Sequence, residues 1–106
     1  MKTNDAAMVA RTILAQLGGN KFLAMTGAKN LTHAEDGLGR LAFKLPRKAK
    51  DGINYVAIRL ETNDTYTVIF SSITGLNVRE VSEIEMAYAQ DLQRLFTEAT
   101  GLDTKM

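Results

Sequence analysis

The chain has 106 residues, a net charge of +1, 45% hydrophobic and 24% charged residues, which is the composition of one globular domain and not of a disordered or fibrous protein. It contains no cysteine, which excludes disulfide frameworks, thiolate nucleophiles, iron–sulfur clusters and cysteine-bound zinc. No apolar run reaches the ~18–20 residues of a membrane span and the N-terminus lacks a signal peptide's apolar core, so a soluble, cytoplasmic protein is expected.

Charge is unevenly spread. Residues 1–53 carry nine Lys/Arg against four Asp/Glu, and residues 54–106 carry four against eight. Such a division fits a basic binding surface with an acidic flank, two faces of a self-associating protein, or scattered solvated charge.

Along the chain, Asn4 or Asp5 caps an expected helix over about residues 5–17, with Ala6, Val9, Ala10, Ile13 and Leu17 on its buried face and Arg11, Thr12 and Gln16 in solvent. Gly18-Gly19 supplies its left-handed stop. The almost wholly apolar run Phe22-Leu23-Ala24-Met25 predicts a strand over Asn20–Thr26, and Leu31–Gly39 reads as a loop. Leu41, Phe43 and Leu45 alternate with Arg40, Ala42 and Lys44, a half-buried strand with a basic outer face that Pro46 ends.

The hairpin from Ile53 to Ser72 is the most strongly specified unit. Pairing Leu60 with Tyr66 sets Ile58 against Val68, Val56 against Phe70 and Glu61 against Thr65. Thr62-Asn63-Asp64 then forms a three-residue connection in which Asn63 or Asp64 takes positive φ. Tyr55, Ala57, Arg59, Thr67 and Ile69 share the other face. Leu76, Val78 and Val81 suggest a short fifth strand. The capping-box pattern Ser82-x-x-Glu85 predicts a helix over about residues 83–100, with Ile84, Tyr88, Leu92, Leu95, Phe96 and Ala99 inward and Gly101 as its stop. The expected fold is therefore α+β, one domain in the order α-β-β-β-β-(β)-α, with a single antiparallel sheet over about residues 20–81 and two helices on one of its faces.

No catalytic motif is complete. His33, the only histidine, has Glu35 and Asp36 nearby but no second histidine to finish a metal site. Ser71 and Ser72 lie within a strand and not on a nucleophile elbow. Gly18-Gly19-Asn20-Lys21 and Gly27-Ala28-Lys29-Asn30 lack the spacing of a phosphate loop, and the acids Glu80, Glu83, Glu85 and Asp91 suit a helix start. No enzymatic activity, metal or cofactor is expected.

Two binding readings stay open. Arg40, Lys44 and Arg59 with Tyr55 on an open sheet face, next to Arg47, Lys48 and Lys50 in the following turn, fit phosphate neutralisation with a base stacked on the ring. Ala42, Ala57 and Ile69 on that same face fit a dry contact with a protein.

The runs Leu17-Gly18-Gly19-Asn20-Lys21-Phe22-Leu23-Ala24-Met25-Thr26-Gly27-Ala28-Lys29-Asn30, Leu41–Leu45, Gly52–Leu60 and Leu95-Phe96 through Thr100-Gly101-Leu102 resemble, in matching order, a group of small uncharacterised proteins of bacteriophages, prophages and mobile elements. The group tends to have Gly-Val-Tyr-Ala-Asp-Gln-Leu where this chain has Met86–Leu92. The resemblance implies a bacterial cytoplasmic setting and no particular activity. The expected function is that of a non-enzymatic accessory protein with nucleic acid as partner. The alternatives are a protein-binding factor, such as an inhibitor of a host or defence complex, and a structural or assembly protein; a homodimer is a further option.

Overall fold

The computed structural model describes residues 5–35, 37–46, 49–102 and 104. Asn4, one of the two capping candidates, and the turn residues Arg47 and Lys48 lie outside them. Helix α1 (Asp5–Leu17) is followed directly by a second helix, α2 (Gly19–Thr26), and then by strands β1 (Lys29–Ala34), β2 (Arg40–Lys44), β3 (Tyr55–Leu60), β4 (Tyr66–Thr74) and β5 (Asn77–Ala87). Short 3-10 turns at Lys50–Gly52 and Ala89–Asp91 precede β3 and the last helix, α3 (Leu92–Thr100). The strands form one antiparallel sheet in the order β1-β2-β3-β4-β5, so every strand pairs with its sequence neighbours. The α+β class and the helices at both ends are as expected.

All three helices pack on the same face of the sheet. Ala10, Ile13 and Leu17 of α1, Phe22 of α2, and Leu92 and Phe96 of α3 join Leu41, Phe43, Val56, Ile58, Val68 and Phe70 in one core. Phe22 is its hub, with ring centroids 5.4 Å from Phe43 and 5.2 Å from Phe96 in edge-to-face contacts. Tyr66 is buried, and its hydroxyl donates to Gln16 Oε1 at 2.8 Å, so Gln16 is anchored to the sheet and not simply solvated. The β3–β4 register matches the expected one at every pair, from Tyr55↔Ser71 to Leu60↔Tyr66. Its connection closes with Glu61 N–H donating to the Thr65 carbonyl and Asp64 at φ +67°. Asn63 Oδ1 accepts from the Thr65 N–H and hydroxyl, fixing the turn locally.

Three expectations need correction. Residues 20–26 are helical, and the chain turns only at Gly18-Gly19 (φ +127° and +61°) before winding again. The apolar run has no period of two to honour, and Phe22 and Thr26, four apart, face the core together. Residues 31–34 belong to edge strand β1 and not to a loop, and β1 replaces the misplaced strand. Residues 77–87 form an eleven-residue strand, so Ser82 and Glu85 cap nothing and the final helix begins only at Leu92. Ladder irregularities flank Ser82–Ile84, between Phe70 and Ser71 and between Tyr66 and Val68 on the partner strand. Each adds one residue to β5, so its positions in register with the helix side of β4, 79, 82, 84 and 87, are spaced three, two and three, which imitates helical spacing.

Both short helices end identically. In Phe22–Gly27 and Phe96–Gly101 a buried threonine hydroxyl donates to the phenylalanine carbonyl at 2.8 Å. The same hydroxyl oxygen accepts the N–H of the residue two further on, Ala28 or Leu102. The intervening glycine is left-handed, and its N–H closes on Leu23 or Thr97. The shared Phe-x-x-x-Thr-Gly spelling is the signal by which residues 22–27 are recognisable as a helix end.

Candidate functional site

The helices leave the second face of the sheet to side chains of alternate register, and on it Arg40, Lys44, Tyr55 and Arg59 meet Ala42, Ala57 and Ile69. Cross-strand pairing sets three rows across the strands. Lys29, Lys44, Tyr55, Ser71 and Glu80 form one row. Thr32, Ala42, Ala57, Ile69 and Glu83 form the next. Ala34, Arg40, Arg59 and Thr67 form the third, with Glu85 and Met86 sharing the irregular position opposite Thr67. Partners in register share a face, so these rows are physical neighbours. Beyond the first row the β4–β5 hairpin continues with Ile73 opposite Val78, and Val78 is 67% exposed.

Ala42 and Ala57 are buried although no described helix covers them. Longer neighbours on the same face, Arg40, Lys44, Tyr55 and Arg59, shield a residue with only a methyl group. Ile69 stands half-buried beside Ala57 and rises above it.

The electrostatics of the face differ from a simple basic patch. Arg59 Nε donates to Glu61 Oε2 at 2.7 Å, and the Thr67 hydroxyl donates to that same oxygen at 2.7 Å. The Thr67 hydrogen bond, helped by Arg59, holds the Glu61 carboxyl below its usual range. Glu61 directly follows β3, two residues after Arg59, so the pair is a local feature of the chain. Lys50 does not join the face. Its Nζ donates to the Glu98 carbonyl at 3.2 Å in the last turn of α3, and its stem lies against Gly101. Lys29, overlooked when β1 was expected elsewhere, enters opposite Lys44, and with Leu45, Asn54 and Ile73 they line a hollow of about 140 Å³. The carboxylates expected on a helix start, Glu80, Glu83 and Glu85, lie on β5 instead, so cations occupy one side of the face and anions the other.

His33 is exposed on β1 opposite Leu41. Among the described residues, no cluster of three or more His, Asp or Glu side chains is arranged to hold a metal ion. A separate open groove of about 440 Å³, lined by Met8, Val9, Thr12, Leu38, Leu60 and Tyr66, runs between α1 and the β1–β2 turn. Gly39 (φ +139°) makes that close passage feasible, since a Cβ there would lie 2.7 Å from the Val9 Cβ. Among the described residues, no helix is long and apolar enough to cross a membrane. No protein-family model, curated protein or solved structure matches the chain.

Proposed function

We propose that this chain is a non-catalytic protein-binding accessory factor that uses the open face of its sheet. The observation that carries the reading is the centre of that face, where Ile69 lies in register with Ala57 and Ala42 between a cationic and an anionic side. Phosphate binding favours cations left available and several stacking rings. Here Arg59 is held by Glu61, Lys50 is turned to α3, and Tyr55 is the single ring in the three rows. Carboxylates on β5 would also repel a nucleic-acid backbone running across the sheet. The resemblance to proteins of phages and mobile elements supplies the setting for an accessory role.

A second reading, nucleic-acid binding, draws on the juxtaposition of Lys29 and Lys44 with Tyr55 next in the row. Like charges facing each other across a ladder are unfavourable, and an anion between them relieves the cost. Capture from a bacterial lysate with and without nuclease separates the two. The protein reading expects nuclease-resistant capture that Ile69→Glu abolishes. Nuclease-sensitive binding near ~50 mM salt, lost on reversing Arg40 and Lys44 and weakening steeply as salt rises, overturns it.

A further inference from the structure

We infer that the open face docks a second copy of this chain, about a twofold axis that runs between β3 and β4 at roughly 15° to the strands, half the ~30° turn between aligned sheets. The inference rests on the reading of that face as a protein contact and names its partner. The first row runs from Lys44 on β2 through Tyr55 and Ser71 to Glu80 on β5, so opposite charges lie at equal strand distances from the line between β3 and β4. Turning a copy over about that line lays β2 on β5 and β3 on β4 of its partner. Each Lys44 then faces the Glu80 of the other copy, and each Ile69 stands over the other copy's Ala57. The contact is isologous, so each complementary pair occurs twice.

Among the described residues, neither Lys44 nor Glu80 has an ion-pair partner within its own chain. Aligned sheets pack ~10 Å apart with strands turned by ~30°. Lys44 and Glu80 lie about 7 Å from the axis at ~4.8 Å per strand, so that turn displaces them by about 3.5 Å, within the reach of a lysine stem. The exposed Val78 and the Ile73 beside it lie on the same face, where the twofold operation carries Val78 over the Leu45–Pro46 segment after the partner's β2 and Ile73 over the Ile53–Asn54 segment before its β3. Apolar surface left open in one copy is thereby covered by the other.

Size sets the strength of the contact. Four strands about six residues long span roughly 19 by 20 Å, about 400 Å² per copy. Standard stable interfaces bury ~800 Å² per partner, so the dimer forms and dissociates reversibly with concentration.

Sedimentation equilibrium on the full chain tests this with the wild type, two single variants and their mixture. Lys44→Glu alone and Glu80→Lys alone each place like charges together twice, and each is expected to raise the dimer dissociation constant about tenfold or more. An equimolar mixture of the two restores both pairs, so a heterodimer with near wild-type affinity is expected. Both positions are exposed, so each variant is expected to fold, and circular dichroism is the check. A wild-type chain that stays monomeric to millimolar concentration overturns the inference, as does a dimer indifferent to both reversals. If that monomer still captures a protein in a manner lost in Ile69→Glu, the protein-binding reading survives alone. If it instead binds a single-stranded oligonucleotide at low salt through Lys44, both readings fall.

Discussion

The two faces of this sheet are built from alternate residues of the same strands, yet they obey different rules. On the helix side, Val56, Ile58, Val68 and Phe70 are almost wholly buried and differ mainly in shape. On the other side, Arg59, Thr67 and Ile69 alternate with them and differ in charge, polarity and size. The first face is specified by volume, because every methyl group has neighbours on all sides. The second is specified by order across the sheet, cations to one side and carboxylates to the other. The helix-side face therefore carries most of the stability, and the open face carries the ordered charge.

Adjacent positions of β4 offer the sharpest contrast. Phe70→Ala is expected to cost about 3–5 kcal/mol in urea denaturation, while Ile69→Thr, one residue away, costs about 1 kcal/mol or less. Equal losses would mean that the open face is a second core. Next in size are the two buried helix-end hydroxyls. Thr26→Val and Thr100→Val each lose a bond to a carbonyl and strand an N–H, and each is expected to cost about 1–3 kcal/mol by the same measurement. Tyr66→Phe removes the bond to Gln16 and should cost about 0.5–1.5 kcal/mol.

The smallest effect lies on the open face and is read in a titration. The Glu61 carboxyl is held below its usual range, chiefly by the Thr67 hydroxyl and then by Arg59. A depressed carboxylate adds stability above the ordinary carboxylate range, and that contribution is lost as pH falls through the lowered value. Thr67→Val should move the Glu61 titration upward in a carboxyl-detected NMR experiment and leave the helix-side residues unmoved. An unchanged titration would assign the effect to Arg59 alone.

The faces also differed in how far the amino-acid sequence disclosed them. Alternation from Val56 to Phe70 was legible because both strands keep a strict period of two and meet in a short Asx-stabilised turn. That alternation put Tyr55, Arg59, Ala57 and Ile69 on the outer face, and the alternation of Leu41, Phe43 and Leu45 put Arg40, Ala42 and Lys44 there too. Periodicity misled at β5, where two irregularities reset the count and made a strand resemble a helix. It was silent at α2, whose apolar run has no preferred spacing, although the repeated Phe-x-x-x-Thr-Gly ending was there to be read. Misplacing the first strand hid Lys29, and a linear reading of the basic turn overlooked that Lys50 folds back onto α3.

The sheet's borders carry a consequence of their own. A strand with one free side presents amides and carbonyls on which a foreign strand can template, the route to edge-wise polymers. Here β5 is broken in register twice and takes Met86 through φ +60°, while β1 is short, shifts register between Lys29 and Thr32, and holds Asn30 at φ +56°. Neither border offers a long straight ladder to a newcomer. The carboxylates along β5 would repel a copy of itself drawn alongside. Growth of this protein into filaments by strand addition is thus obstructed at both borders of the sheet.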